Sequence, residues 1–442
     1  MNKTIHLISL GCAKNQVNSE QMLFLLRNAG YNITEYIEDA DAVVVNTCGF
    51  IDSAKKEAID TILESAQYKE NGKLQALVVT GCLSERYRDE ILKELPEVDA
   101  VCGTGSYEDI VEAVEAAFKG EKKGFYKDMN KADLEGERII INTPYSAYIK
   151  IAEGCDNKCH YCVIPSLRGS FRSRPMESLI EEAKRLAENG VKELMVVAQD
   201  ITRYGTDLYG ERKLHELVKE FCKIEGFEWI RLHYLYPDEI DDILLETIKE
   251  EPKVLKYFDI PIQHISDNML KAMNRRGTGK LVRERIDKIR SLMPDAVMRT
   301  SLIVGFPGET EEDYNELYEF LEEYKLERAG VFAFSREEGS VAYDMPDQID
   351  EDVKLQRQNA LFKLQTDIMD ILSSKYVDKT YKVLCEGFDE EEEMFFGRSY
   401  MDSPDIDGIV YFDGEAEEGE FYNVKINDAV GCILYGSVVE EI

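Results

Sequence analysis

No apolar run in the 442-residue sequence approaches the ~20 residues needed to cross a bilayer. The opening Met1-Asn2-Lys3-Thr4-Ile5-His6 leads straight into Leu7-Ile8-Ser9-Leu10 without a small-residue cleavage site. That pattern argues against a signal peptide and for a cytoplasmic protein with no membrane partner. Proline and glycine are modest at 11 and 29 residues, which excludes collagen-like or low-complexity architecture. Internal repeats are lacking too. Basic residues are the other shortage: 53 Lys and Arg face 87 Asp and Glu, a net charge of −34. So acidic a surface repels phosphate backbones and attracts basic proteins. The imbalance is concentrated. From Thr380 to Ile442 only Lys382, Arg398 and Lys425 oppose 17 acidic residues.

What is present is ordinary for a globular chain, with 44% hydrophobic and 32% charged residues. The length suggests about three domains at roughly 150 residues each. Residues 1–120 alternate β-rich runs (His6–Leu10, Ala42–Asn46, Ala76–Thr80, Val98–Val101) with amphipathic stretches near 18–29, 53–67, 84–94 and 107–118. This is the signature of a doubly wound, flavodoxin-like parallel sheet. Residues 121–143, rich in Lys, Glu and Gly, read as a linker. A second βα series over 144–345 has candidate strands at Ala147–Ala152, Glu193–Ala198, Trp229–Leu232, Tyr257–Ile260, Val297–Val304 and Gly330–Phe334. Six units fall short of a closed eightfold barrel and predict an open (βα)6 partial TIM barrel. A polar helical connector over 346–379 shows no evident apolar face. Short alternating runs over 380–442 predict a small antiparallel β-barrel of the kind that docks a partner. The fold class is thus multidomain α/β.

Ten cysteines in a cytoplasmic chain point to metal ligands, redox chemistry or buried packing rather than disulfides. Cys155, Cys159 and Cys162 follow the first strand of the second series at C-x3-C-x2-C spacing. Three thiolates so placed can wrap three corners of an iron–sulfur cluster. A zinc site would want a fourth ligand, and His160 sits between two of the three in a tight loop. Cys12, Cys48 and Cys82 each end a strand of the first sheet, so topology brings them to one edge, where open α/β sheets bind ligands. Gly11, Gly49 and Gly81 beside them let the backbone approach a cluster closely. Cys102 ends a fourth strand and remains a candidate on topology alone. Four ligands would close a cluster; three leave one iron open. Cys222, Cys385 and Cys432 stand isolated and read as packing thiols.

C-x3-C-x2-C with Tyr161 before the last cysteine resembles the radical S-adenosylmethionine superfamily. With Ser9-Leu10-Gly11-Cys12-Ala13-Lys14-Asn15 and Asn46-Thr47-Cys48-Gly49-Phe50-Ile51, the whole chain resembles the methylthiotransferase family, ending in a TRAM barrel. The resemblance implies two 4Fe-4S clusters, one on Cys155, Cys159 and Cys162 and an auxiliary one on Cys12, Cys48 and Cys82, with Cys102 excluded. It also implies S-adenosylmethionine as radical source and methyl donor, an electron donor, and Tyr161 beside the adenine. Both triads are expected to face one chamber between the first two domains. Ala13-Lys14-Asn15, the stretch Tyr148–Cys155 and Pro165-Ser166-Leu167-Arg168-Gly169 resemble the branch that methylthiolates an aspartate β-carbon of small-subunit ribosomal protein S-twelve. The barrel, with so few basic residues, is expected to dock that basic protein rather than RNA. The alternatives are methylthiolation of a tRNA adenosine and a non-enzymatic iron–sulfur carrier.

Weaker cofactor-binding candidates lie at other strand ends: Gln199, His233 and Gly305. Against each stands a structural role, as a helix cap, a satisfied interior imidazole and a tight turn. His264 and Arg275-Arg276-Gly277 are read the same way. Gly305-Phe306-Pro307-Gly308 matches neither a P-loop nor G-x-G-x-x-G.

Overall fold

The computed structural model describes residues 3–141 and 143–439. Its first unit is a six-stranded parallel sheet in the spatial order Asn32–Ile33, Thr4–Ser9, Ala42–Thr47, Ala76–Gly81, Ala100–Cys102, Lys123–Phe125. Ala42–Thr47 and Ala76–Gly81 are buried along their whole length, which is why Val43-Val44-Val45 and Leu77-Val78-Val79 are continuous apolar runs rather than alternating ones. Lys123–Phe125 falls in the stretch read as a linker, so the sheet extends further than expected; three residues with one buried apolar side chain carry too little pattern to be seen. The expected helix 84–94 is two, Cys82–Tyr87 and Asp89–Glu94, broken at Arg88, whose φ is +46°.

The second unit has six parallel strands in two runs: Ser146–Lys150, Glu193–Val197, Trp229–Leu232, then Tyr257–Asp259, Val297–Val304, Arg328–Ala333. A looser seam joins the runs, with Ile230 N–H donating to the Lys253 carbonyl at 2.8 Å and Leu235 N–H to that of Asp259 at 2.8 Å. A two-residue hairpin, Ala152–Glu153 with Arg172–Ser173, brackets the first cysteine loop of this unit.

Helix Glu351–Ser373 corrects the expectation of a connector without an apolar face. Leu361, Leu364, Ile368 and Leu372 are buried in the core of the second unit. Their three- and four-residue spacing makes one helical stripe, hidden in the sequence by a polar majority around it. Gln358 Nε2 donates to the Val331 carbonyl at 2.9 Å, so the helix also covers the sheet's last strand.

The third unit is a closed five-stranded barrel in the order Thr380–Asp389, Met394–Ser399, Ile409–Asp413, Ile433–Val438, Phe421–Val430. Four of its pairings are antiparallel, but Ile409–Asp413 and Ile433–Val438 run parallel. The expected antiparallel barrel is corrected on that point, and the reason is parity: an odd number of strands cannot alternate direction around a closed ring. Its core is continuous with the second unit, since Trp229, Tyr257 and Val297 belong to the same apolar cluster as Leu384, Phe412 and Val424. Within that contact Glu193 is buried between two guanidiniums, accepting from Arg231 Nε at 2.8 Å and from an Arg398 terminal nitrogen at 2.6 Å. No described helix is long and apolar enough to cross a membrane.

Candidate functional site

Register brings the first three thiols together. Ser9 pairs with Asn46 and Thr47 with Gly81, so the strand ends lie nearly level; Cys48 and Cys82 follow theirs immediately and Cys12 follows after Leu10 and Gly11. The approach is tight. A Cβ on Gly11, whose φ is +86°, would lie 2.8 Å from Cys48 Cβ, so only glycine fits. Cys12 caps helix Ala13–Asn28 and Cys82 opens helix Cys82–Tyr87, where free amide donors favour a thiolate. Cys102 pairs with Thr80 inside the ladder, short of the edge, and its side chain sits fully buried in the opposite apolar layer with Ile110 and Phe125.

Electrostatics separate the three. Against burial, the Lys14 and Arg168 cations hold the Cys12 thiol below its ordinary range. Burial, with the Cys82 and Cys12 thiols adding, pushes Cys48 up to about 11. Burial also raises Cys82, although Arg168 Nε donates to its Sγ at 3.3 Å. Cys48 and Cys82 thus favour the protonated thiol until a metal replaces the proton. Among the described residues no three His, Cys, Asp or Glu side chains converge on a single-ion site. A cluster asks for wider spacing, because each thiolate takes a separate iron. The thiol donors and the glycine-lined approach fit such a group.

The second triad lies on a loop fixed at both ends. Cys155 N–H donates to the Gly169 carbonyl at 3.1 Å, and Cys162 N–H to that of Cys159 at 3.0 Å. Cys162 Sγ accepts the Ile164 N–H at 3.4 Å. Cys159 Sγ is 3.5 Å from Tyr236 Oη, and Arg275, stacked 4.2 Å over the Tyr236 ring, reaches within 3.9 Å of the same sulfur. Burial raises Cys155 to about 11, with Asp200 contributing. His160 is held by the helix beyond, its Nδ1 2.8 Å from the Ala272 carbonyl. Tyr161 packs with Met269, Met273, Phe306 and Phe334.

The weaker candidates scatter. Gln199 Nε2 donates to Glu153 Oε1 at 2.8 Å while its own Oε1, buried, has no protein partner. His233 lies 3.6 Å from Asp259 and 3.3 Å from Ser403 Oγ; burial lowers its pKa, so the ring is neutral at pH 7. At Gly305 a Cβ would meet Lys354 Cγ at 2.3 Å, so the connector helix packs closely against this turn. His264 faces Glu309 at 3.3 Å, an interior pair.

Cys12 and Cys48 open onto a cleft of about 1070 Å³ walled by all three units. Tyr148, Tyr234 and Phe332 come from the second, and Ser403, Pro404, Asp405 and Ile406 from the third. Tyr234 holds a φ of +63°, rare for a bulky residue, and its ring carries the buried Lys14 ammonium 3.6 Å above its centre. Residues 155–162 do not line this cleft. Buried polar side chains link the neighbourhoods of the two triads. Glu153, two residues before Cys155, accepts from Lys150 at 2.7 Å and from Arg168 at 3.3 Å, and these cations hold its carboxyl at about 2 against burial. Arg168, Glu153, Lys14 and Tyr234 gave no signal as site residues beyond their place in or near the motifs, whereas Arg275, weighed in the sequence only as a weaker candidate, is buried against the Tyr236 ring.

Comparison with known proteins matches these units one by one. The model of uncharacterized protein family UPF0004 covers residues 4–103, that of the radical SAM superfamily 149–321, and that of the TRAM domain 377–439. Among solved structures, the radical S-adenosylmethionine methyltransferase TsrM from Kitasatospora setae superposes with a TM-score of 0.56 at 12% identity, over 75% of this chain and 73% of that one. The cobalamin-dependent S-adenosylmethionine radical enzyme OxsB gives 0.51 at 12% identity, over 82% of this chain and 56% of the other. At that identity the likeness is one of fold. Fold and site define a radical S-adenosylmethionine methylthiotransferase, an enzyme that uses an iron–sulfur cluster and S-adenosylmethionine. Relatives named ribosomal protein uS12 methylthiotransferase RimO are 49% identical in Acetivibrio thermocellus, over 100% of this chain and 99% of theirs, and 48% identical in Clostridioides difficile, over 99% of each. The chain belongs to this RimO family.

Proposed function

We propose that this protein adds a methylthio group to the β-carbon of an aspartate in ribosomal protein uS12, in the cytoplasm, using two 4Fe-4S clusters. The observation that carries the reading is the cleft. Two of the three strand-end thiols face a space bounded by the second unit's strand ends and by the acidic barrel. Cys155, Cys159 and Cys162 would hold the cluster that meets S-adenosylmethionine, and Cys12, Cys48 and Cys82 the auxiliary one. Held there, such clusters would supply one-electron chemistry for cleaving S-adenosylmethionine and the sulfur for transfer. A β-hydrogen of aspartate is not acidic enough for a side-chain base, which is why radical chemistry suits the substrate.

The chain's own residues bind, orient and exclude. Residues 1–125 present the auxiliary thiols, 144–345 the radical loop and 380–439 the docking surface. Tyr236 and Arg275 steady Cys159, and Tyr161 closes the loop against an aromatic floor. The barrel suits a basic protein and not RNA because its three cations are engaged: Lys382 with Glu228 at 2.6 Å, Lys425 with Asp378 at 3.4 Å, and Arg398 buried on Glu193. Mass spectrometry of uS12 from cells lacking the gene tests the assignment. The aspartate is expected to lack its methylthio mass and to regain it on complementation; an unchanged modification refutes the substrate.

A further inference from the structure

Both cysteine loops are tied to one dipeptide, Arg168-Gly169. The chain leaves Cys162, makes helix Ile164–Arg168, and turns at Gly169 with φ +76°. From that turn the Gly169 carbonyl holds the Cys155 amide at 3.1 Å. The Arg168 guanidinium departs from the same turn and crosses into the first unit. Its Nε donates to Cys82 Sγ at 3.3 Å, one terminal nitrogen to Asn18 Oδ1 at 2.9 Å, and the other to Asn15 Oδ1. Asn15 in turn donates to the Leu10 and Thr47 carbonyls, each at 2.9 Å, bracing the backbone beside Cys12 and Cys48. One buried side chain thus contacts one auxiliary thiol directly and steadies the loops of the other two.

We propose that Arg168 is the positioning residue that fixes the two cluster loops relative to each other and raises the reduction potential of the auxiliary cluster. The inference rests on the two-cluster reading above. An ordinary ion pair with Glu153 does not account for the residue, because Lys150 already neutralises that carboxylate at 2.7 Å. Lys150, Arg168 and Glu153 together leave one positive charge over, and it faces the Cys82 sulfur, which would be a thiolate with a cluster bound. An N–H donor and a cation beside a ligand sulfur withdraw charge from it and favour the reduced cluster. The fork geometry matters as well, since four acceptors, Cys82, Asn18, Asn15 and Glu153, are met by one planar group that an ammonium cannot imitate.

R168Q and R168K, prepared anaerobically with both clusters reconstituted, test this beside the wild type. In R168Q iron content holds and S-adenosylmethionine is still cleaved to 5′-deoxyadenosine. The potential of the auxiliary cluster, read by redox titration with electron paramagnetic resonance, moves negative. Methylthiolated product per 5′-deoxyadenosine falls at least tenfold. R168K restores much of the potential and little of that ratio. An unshifted potential overturns the proposal, as does loss of iron from both loops in both variants, which would make Arg168 a structural pin. A wild type carrying a single cluster would instead remove the two-cluster reading itself.

Discussion

Cys82 and Cys102 stand on neighbouring strands, and two residues of register separate a ligand position from a core position. Thr80 pairs with Cys102, so the second thiol is inside the ladder while the first has passed the edge. Burial pushes the Cys102 thiol far above its ordinary range, as befits an apolar packing group. Substituting C82A is expected to remove about half the bound iron, leaving 5′-deoxyadenosine formation in place, because one of two clusters is lost. C102A is expected to bind as much iron as the wild type and to lose about 1 kcal/mol of stability, read by denaturant melting. Iron analysis of the two variants checks both. The C-x3-C-x2-C spacing and the strand-end positions of Cys12, Cys48 and Cys82 were legible because those signals are local. Arg168 was not, since its partners Asn15, Asn18 and Cys82 lie in another unit and no periodicity marks a guanidinium that reaches across. Gly305 shows a related limit: its turn was visible, but not the Lys354 side chain that packs against it.

At the level of elements, the barrel is held to the second unit by a buried carboxylate. Glu193 sits at about 2, below its ordinary 4.5, because against burial the Arg398 and Arg231 cations favour the charged form. A depressed carboxylate contributes stability that is complete above its unfolded value. Docking should therefore be intact above pH 4.5 and weaken as pH falls toward 2. Trp229, the single tryptophan, reports on it, lying edge-on to Phe421 of the barrel at 4.7 Å. Its fluorescence is expected to change over that acid range. In E193Q the loosened signal should be present already at pH 7, with a cost of about 3–5 kcal/mol from two guanidiniums left without their anion. The strands that make this contact were readable, as β-rich runs in the second unit and alternating ones in the barrel, but the contact itself was not, because Glu193 and Arg398 are far apart in sequence. The connector helix shows the converse, a stripe of four apolar residues outvoted by the polar residues between them.

For the whole molecule the decisive quantity is the sign of the barrel's field. Glu390 to Glu393 form an exposed acidic turn, and Asp413, Glu415, Glu417, Glu418 and Glu420 are exposed as well. Binding of uS12 is expected to weaken as salt rises and to resist competition by tRNA; replacing Glu390 to Glu393 by lysine should slow association by about tenfold or more. Tight, salt-sensitive tRNA binding by the wild type would count against the docking role. The order of three units and the sign of that charge were visible in composition, whereas the cleft between them depends on packing that no stretch of sequence carries alone. The parallel pair in the barrel bears on how the molecule is completed. Strand Ile433–Val438 is inserted between Ile409–Asp413 and Phe421–Val430, yet it follows both in the chain. It is the keystone of the ring: the earlier strands can pair among themselves, but the arch stays open until Ile433–Val438 slots into it.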